Sequence, residues 1–434
     1  MTDQTRQFEL LAPNEAITVP TSSTGVKRLW WPAQGQETAI RTALEWDLTT
    51  TYGDVSAPAA DLLHIAAAAY LADLRTRRPA TFGRQLAITV HVHNPKTWTG
   101  KAGETITDLL AWISGDEWTL HSVPIGKHTP TTDPAIAVPH QSAASAMLLS
   151  GGLDSFCGAV DHLATAKDRV HVGHRDSATS VQHAQRSIKA WLTAQVPEFT
   201  WLRDELRPRD RKQENTTRTR SFLFMAMAIA AADGVNAPTV IVPENGYTSL
   251  NVPLVASRGG ALSTKSTHPW TFHLVNQILT ETGISVEVTN PYLNLTKGEL
   301  LKQTLTTAPA GFLDATKHTL SCAKLDSGRM KKTLGGDPNI NCGLCYACLV
   351  RRGSYDGAGV SDPTDYLVNR LKKPVLKAYR KRRHDDLWAL ELAEKRTITE
   401  DDLIASASWP PGYDLTAALD LVNRGRKELF SVPR

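Results

Sequence analysis

A six-residue loop places the tightest limit on what this chain can fold into. Ser150-Gly151-Gly152-Leu153-Asp154-Ser155 follows the short apolar run 146–149 and precedes a helical pattern. The two glycines let the backbone turn tightly and approach a ligand closely. The N–H groups that open the following helix have no partners inside the helix and favour an anion, typically phosphate. The loop and its context therefore predict a parallel α/β domain that binds a phosphorylated ligand.

The loop differs from the two common phosphate-binding motifs. The P-loop requires a lysine that this segment lacks at the necessary place, and the dinucleotide fingerprint requires a third glycine. Asp154 is unusual beside phosphates because a carboxylate repels them unless a cation lies between, and Mg²⁺ is the natural bridge. We therefore expect Mg²⁺ at Asp154. The alternative is an ordinary capping turn between a strand and a helix.

Short apolar strands alternate with helices across residues 145–360, which predicts an open parallel sheet with helices on both faces. The predicted strands are 146–149, 170–173, 200–202, 239–242 and 286–288. The predicted helices are 158–166, 180–195, 217–232 and 269–282.

The regions on either side of this core predict one further structural unit each. This agrees with the length of the chain, because 434 residues are about three times the ~150 residues of an average domain. Residues 1–140 combine predicted strands at 25–31 and 85–92 with a helix at 59–77, which indicates an α+β accessory domain. Prolines 124, 130, 134 and 139 mark a linker before the core. Residues 361–434 predict a helical C-terminal extension.

Charge and hydropathy exclude several classes of protein. Lys plus Arg number 48 and Asp plus Glu 44, so the net charge of +4 is too weak for a protein that depends on nucleic-acid phosphates. The longest apolar run, 222–232, is far shorter than the ~20 residues that span a membrane. The first residues lack the apolar centre of a signal peptide. We expect a cytoplasmic protein without a membrane or nucleic-acid partner.

Four of the five cysteines fall in one short region, as Cys322 and the run Cys342-x-x-Cys345-x-x-Cys348. Four thiolates at such spacing predict a closed tetrahedral Zn²⁺ site, which is structural and not catalytic. An iron–sulfur cluster is the alternative, because ferredoxin-type runs also begin with this spacing. Cys157 is expected to be a small core residue.

The loop Ser150–Ser155 resembles that of the ATP pyrophosphatase (PP-loop) family, whose members split ATP into AMP and pyrophosphate while activating a carboxylate, amide or carbonyl. With the cysteine pattern and Leu349-Val-Arg-Arg352 after it, residues 146–355 resemble the 7-cyano-7-deazaguanine synthase family of the queuosine pathway. This resemblance implies an adenine-nucleotide α-hydrolase-like fold that uses ATP.

The resemblance also implies roles for individual residues. Arg220, at a helix start, and Lys297, in Thr296-Lys-Gly-Glu299, would act with Asp154 as catalytic residues. The residues implied to bind ATP are Ser150, Gly151, Gly152, Leu153, Asp154, Ser155, Gly173 and His174. The segment that begins at Gly173 reads Gly-His-Arg-Asp where the family reads Gly-Gln-Arg-His, so the contacts expected there differ.

A polar segment follows the predicted strand 239–242. Ligands of open α/β sheets bind outside the carboxyl ends of strands, so this segment is the predicted substrate loop. Its candidate substrate-binding residues are Glu244, Asn245, Gly246, Arg258, Thr264, Thr267 and His268. The alternative is a long solvated loop.

In this segment the chain is most similar to longer relatives in bacterial anti-phage defence cassettes, which carry an N-terminal domain before the loop. That resemblance implies a ligase that joins activated 7-carboxy-7-deazaguanine to a protein amine. We expect a partner protein encoded nearby as the acceptor, residues 1–140 as its docking domain, and a core that activates the acid without them.

Three alternatives stay open. Ammonia could be the nucleophile, which would make the chain a nitrile-forming synthase of 7-deazaguanine biosynthesis. A tRNA-modifying PP-loop enzyme would be supported by an iron–sulfur cluster and by the basic run 370–383. The flanking regions could instead form a homodimer.

Overall fold

The computed structural model of the protein describes residues 5–13, 25–31, 40–79, 83–126, 142–176, 178–210, 213–214, 217–255, 265–323, 340–382 and 384–433. These residues form two parallel sheets and one short antiparallel pair of strands. The α/β fold class predicted from the sequence is confirmed.

The N-terminal sheet is parallel throughout and has the strand order β2-β1-β4-β5. Its strands are β1 (Arg6–Leu11), β2 (Val26–Trp30), β4 (Gln85–Val92) and β5 (Glu117–Pro124), with a short β3 (Ile40–Arg41) outside the sheet. The helices are α1 (Thr49–Tyr52), α2 (Ala57–Arg75), α3 (Pro95–Trp98) and α4 (Lys101–Ser114). The expected α+β arrangement is corrected to α/β, because helix α4 connects two neighbouring parallel strands, β4 and β5.

The second sheet contains all five strands predicted for the core, each within two residues of its expected bounds. They are β6 (Ser145–Leu148), β7 (Arg169–His174), β8 (Trp201–Asp204), β10 (Thr239–Ile241) and β11 (Glu287–Thr289). A short β9 (Arg207–Pro208) pairs with β3. The strand order is β11-β10-β6-β7-β8, and all pairs are parallel. The strands β7 and β8 lie on one side of β6, whereas the later strands β10 and β11 lie on its other side. The boundary between β6 and β10 is therefore a topological switch point, the place where open α/β sheets bind ligands.

Helices cover both faces of this second sheet, as expected. They are α5 (Leu153–Asp161), α6 (Thr179–Gln195), α7 (Arg220–Gly234), α8 (Gly246–Leu250) and α9 (Pro269–Thr282). Helices α5 and α6 belong to one hydrophobic core, and α7 and α9 belong to another. The predicted helix 158–166 is corrected to start at Leu153 and to end at Asp161, where a 3₁₀ turn over Leu163–Asp168 follows.

Helices of the two sheets pack together in one hydrophobic core, the core that contains α7 and α9. Helix α2 packs against α7, and α4 packs against α9. Helix α2 is buried from Ala59 to Leu74, because its sequence is apolar on nearly every side. The N-terminal region is therefore joined to the core by a continuous apolar interface.

The remaining chain is helical, as predicted for the C-terminal extension. Its helices are α10 (Lys297–Leu305), α11 (Phe312–Ala315), α12 (Tyr346–Ala358), α13 (Leu367–Arg370), α14 (Lys373–Arg382), α15 (His384–Glu394), α16 (Glu400–Ser406) and α17 (Leu415–Ser431). Helix α17 packs closely on α12 because Gly353 has no side chain: a Cβ there would lie 2.2 Å from the Glu428 carbonyl oxygen. Within the described residues, no helix is long and apolar enough to cross a membrane.

Candidate functional site

The loop between β6 and α5 is built to receive an anion. Gly151 has a φ of 96°, a conformation that favours glycine. The Ser150 and Ser155 hydroxyl oxygens lie 3.1 Å apart and tie the two ends of the loop together. Among the described residues, the N–H groups of Leu153, Asp154 and Ser155 have no hydrogen-bond partner. These three donors at the start of a nine-residue helix form an anion site.

A cavity of about 950 Å³ borders this loop at the carboxyl ends of β6, β7 and β8. Of the residues predicted to bind ATP or to act in catalysis, five line it: Ser150, Gly151, Gly152, His174 and Arg220. Other lining residues, none of them singled out as a site residue from the sequence, are Tyr70, Leu74, Arg175, Asp176, Glu205, Arg207, Arg209, Asp210 and Phe224.

Arginines outnumber carboxylates in the lining of the cavity by four to three. Arg220 is paired with Asp176 at 3.1 Å. Arg175 and Arg209 have no ion-pair partner in the part of the chain that the structure describes. Guanidinium groups bind phosphate oxygens with charge-assisted hydrogen bonds, so the two unpaired arginines suit a polyphosphate.

Aromatic rings form one wall of the cavity. His174 stacks on Phe224 with ring centroids 5.2 Å apart, and the rings of Tyr70 and His174 form a T-shaped pair with centroids 6.0 Å apart. Burial lowers the pKa of His174, so its imidazole is neutral at pH 7. Such a wall suits a planar heteroaromatic base. Gly173 does not line the cavity; a Cβ there would lie 2.6 Å from the Leu149 carbonyl oxygen, so its role is close packing beside β6.

The N-terminal region also fixes the start of α7, the helix that carries Arg220. Buried Asp73 of α2 accepts hydrogen bonds from the Arg218 N–H at 2.8 Å and the Thr219 N–H at 3.2 Å. Arg84 holds the other Asp73 oxygen at 2.6 Å and also binds a second buried carboxylate. Carboxylates at helix N-termini are stabilising, so α2 orients α7.

These contacts predict that the core does not function alone, contrary to the expectation from the sequence. A chain without residues 1–140 should fail to fold into a nucleotide-binding form, because the apolar faces of α7 and α9 would be exposed to water. Soluble yield and nucleotide binding by calorimetry would test this. A truncated protein that folds and exchanges pyrophosphate into ATP would contradict it.

A milder variant tests the contact between α2 and α7 within the intact chain. Asp73→Ala should lower the free energy of unfolding by about 3 kcal/mol, because it removes one partner of a buried charge network. Asp108→Ala, at an exposed position of α4, is the matched control. Equal urea midpoints for the two variants would show that the Asp73 contacts contribute little.

A second cluster of charged residues lies at the switch point between β6 and β10. The Lys297 ammonium is 2.5 Å from Asp154 Oδ1, and the Asn245 amide donates to Asp154 Oδ2 at 2.7 Å. Burial opposes the charge on Asp154, but Lys297 and Asn245 outweigh it and hold the pKa of this carboxyl below its usual value. Burial and the Asp154 charge raise the pKa of Glu244 to about 8, so Glu244 is protonated at pH 7.

The fit of Mg²⁺ to Asp154 is poor in this arrangement. Both carboxylate oxygens are engaged, and Asp154 is only 4% exposed. The described side chains therefore do not form a magnesium site at Asp154. Asp154 and Lys297 also do not line the 950 Å³ cavity.

The predicted substrate-binding residues fall into three groups. Glu244, Asn245 and Gly246 lie at the switch point, and the Glu244 carbonyl accepts from Asn290 at 2.7 Å. Thr267 and His268 lie away from the cavity, where His268 Nδ1 accepts from the Trp270 N–H and caps α9. The last two, Arg258 and Thr264, lie outside the described residues.

The four clustered cysteines come together as the spacing predicts. All four are buried, and their sulfur atoms lie within 4.8 Å of one another. The Cys322–Cys345 and Cys342–Cys348 sulfur distances are 3.9 and 3.8 Å. A tetrahedral zinc with Zn–S bonds of about 2.3 Å would place its sulfurs about 3.8 Å apart. A four-iron cluster binds each thiolate on a separate iron, so these distances fit a single ion better.

The segment that carries Cys322 forms part of the cavity wall. Leu320 and Cys322 both line the cavity, and the Leu320 N–H donates to the Gly151 carbonyl at 3.0 Å. Buried Arg351 donates to the Thr319 hydroxyl at 2.6 Å and so supports the same segment from α12. The cysteine cluster and the anion-binding loop are therefore directly connected.

Helix α17 contributes a carboxylate to the start of α10, beside Lys297. Glu428 accepts hydrogen bonds from the Thr296 hydroxyl and, at 3.0 Å, from the Gly298 N–H. Burial raises the pKa of Glu428 to about 7 from its usual 4.5. The folded protein therefore keeps a proton that the unfolded chain releases between these two pH values.

This shift predicts the direction of a pH effect on stability. The contribution of Glu428 is greatest below about pH 4.5 and is lost as pH rises towards 7. Glu428→Gln should therefore match the wild type at pH 4 and exceed its free energy of unfolding by up to about 3 kcal/mol above pH 7. Urea midpoints across this range would measure it, with Glu287→Gln, at an exposed position of β11, as the control. Parallel pH profiles for Glu428→Gln and the wild type would contradict it.

Together, these features define an α/β protein with a glycine-containing loop at the carboxyl ends of its strands and four clustered cysteines that could hold a metal ion. Over 87 residues, 20% of the chain, it is 31% identical to a 7-cyano-7-deazaguanine synthase of Ralstonia pickettii (strain 12J). The similar region spans 31% of that relative's length. No family model and no solved structure matches the chain.

Proposed function

We propose that this protein is an ATP-dependent ligase that activates 7-carboxy-7-deazaguanine and joins it to an amine of a partner protein. The observation that carries the proposal is the loop 150–155. Its residues Ser150, Gly151 and Gly152 line a large cavity that arginines also line, and the three N–H groups that follow them have no partner among the described residues. The similarity to a 7-cyano-7-deazaguanine synthase supports the deazaguanine as the substrate class. A defence role in the cytoplasm, with the acceptor encoded nearby, is part of the proposal.

The proposed reaction has two steps. A carboxylate oxygen of the acid attacks the α-phosphorus of ATP, the bond to the bridging oxygen breaks, and pyrophosphate leaves. The amine nitrogen then attacks the carbonyl carbon of the acyl adenylate, AMP leaves, and the nitrogen loses a proton. The products are an amide, AMP and pyrophosphate.

The described side chains suit this chemistry. The N–H groups of the loop and the unpaired Arg175 and Arg209 would stabilise phosphate charge as pyrophosphate leaves. The wall of His174, Phe224 and Tyr70 would hold a planar base. Lys297 would act from the switch point, where Asp154 orients its ammonium group.

A nitrile-forming synthase is the second candidate, and the name of the similar protein favours it. Ammonia would replace the protein amine, and the resulting amide oxygen would be adenylated in turn before AMP leaves to give the nitrile. The third candidate, a tRNA-modifying enzyme, has weaker support because the sulfur distances fit a single ion better than an iron–sulfur cluster.

Counting the products separates the first two candidates. The purified full-length protein would be incubated with ATP and the acid, with either ammonium or co-expressed neighbouring proteins as the nucleophile. We expect AMP and pyrophosphate with either nucleophile. With the neighbouring proteins present, we also expect intact mass spectrometry to detect a deazaguanine adduct on one of them. One AMP for each amide supports the ligase, whereas two AMP for each nitrile with ammonium alone support the synthase. Release of ADP and phosphate would contradict both.

A further inference from the structure

The two helices α14 and α15 pack against each other and leave a surface groove of about 600 Å³ between them. We name it the hairpin groove. It shares no lining residue with the 950 Å³ cavity. Its described lining includes Lys377, Arg380, Lys381, Leu387, Trp388 and Glu391.

Apolar side chains are unusually exposed on this helix pair. Among the described residues, four large apolar side chains are exposed, and three of them lie here: Trp388 at 48%, Leu392 at 39% and Val375 at 37%. Contiguous exposed apolar surface with a polar rim marks interaction sites. Tryptophan is also among the residues that contribute most to binding energy at interfaces.

The charges around the groove indicate the chemistry of the partner that it fits. Lys377, Arg380 and Lys381 line it, and none of them has an ion-pair partner in the described part of the chain. Such a surface complements carboxylates placed beside an apolar side chain. A nucleic acid fits less well, because two of the exposed side chains on this helix pair, Val375 and Leu392, are aliphatic and suit apolar side chains better than bases.

We propose that the hairpin groove binds an acidic segment of a partner protein. An aromatic or leucine side chain of that segment would pack on Trp388, and its carboxylates would bind the three cations. This binding site goes beyond the proposed reaction and does not depend on which nucleophile the enzyme uses. It also assigns a role to the basic run 370–383, which the active-site chemistry leaves without one.

A binding assay on the full-length protein tests the proposal without reference to enzymatic activity. The ligand would be a fluorescein-labelled peptide of alternating Glu-Glu and Phe or Leu residues, followed by fluorescence anisotropy. Two variants should each weaken binding by about tenfold or more: the triple variant Lys377→Ala/Arg380→Ala/Lys381→Ala and the single variant Trp388→Ala. Lys96→Ala/Lys101→Ala/Lys167→Ala removes the same charge from exposed positions elsewhere and should leave binding unchanged within about twofold.

Three results would overturn the proposal. One is no binding at about 1 mM peptide, the weak end of measurable affinities. A second is equal weakening in the control triple variant or no effect of Trp388→Ala, either of which would show non-specific charge attraction. A third is tighter binding of a single-stranded oligonucleotide that depends on the same residues, which would make the groove a nucleic-acid site.

Discussion

Asp154→Asn is expected to reduce AMP formation by at least about a hundredfold, the loss typical when one electrostatic contact of a reacting centre is removed. The Asp154 carboxylate holds the Lys297 ammonium at 2.5 Å, and a neutral amide could not orient it with the same strength. The assay would measure AMP and pyrophosphate from ATP and the deazaguanine acid.

The same variant should also lose stability, because Asp154 is buried in the first turn of α5. Removing one partner of a buried ion pair leaves the other charge uncompensated, at a cost of about 3–5 kcal/mol. The double variant Asp154→Asn/Lys297→Met removes both charges and should recover much of the stability but none of the activity. Wild-type rates in either variant would contradict a role for Asp154 in the reaction.

Cys345→Ser is expected to abolish metal binding and to unfold the segment that carries the cysteine cluster. Structural zinc contributes ~10–16 kcal/mol of apparent binding free energy in zinc-finger peptides, and this becomes folding energy. Elemental analysis should find about one zinc in each wild-type chain and almost none in the variant. Thermal unfolding should occur at a much lower temperature or without cooperativity.

Cys157→Ala is the matched control for this experiment. Cys157 is buried against the other core residues of α5 and does not belong to the four-sulfur cluster, so the variant should keep its metal. Iron together with acid-labile sulfide in the wild-type protein would contradict the zinc prediction. It would instead favour the tRNA-modifying alternative.

Local sequence patterns predicted the second sheet well and the N-terminal region less well. Each strand from β6 to β11, apart from the two-residue β9, contains apolar or β-branched residues and is flanked by turns, so its identity depends on nearby residues. The parallel pairing of β1 with β4 joins segments about 80 residues apart, and no local pattern contains that information. The N-terminal region was therefore expected to be α+β and is α/β.

The same distinction applies to the site. The loop 150–155 and the cysteine spacing are local motifs. The loop lies between a strand and a helix, and the four cysteines lie together, as the sequence indicated. Tyr70, Asp73 and Glu428 were missed because each reaches the site from a distant helix through packing. No residue near them in sequence marks their position, so only the folded chain reveals their contacts.

The hydrogen bond from the Leu320 N–H to the Gly151 carbonyl has a thermodynamic consequence. We expect it to link phosphate binding by the loop to metal binding by the cysteines, and such coupling is equal in both directions. At equilibrium with a competing chelator, a bound nucleotide should therefore raise the affinity for the metal by the same factor by which the metal raises the affinity for the nucleotide. Oxidation of the thiolates would then weaken nucleotide binding without any change in the loop's own residues.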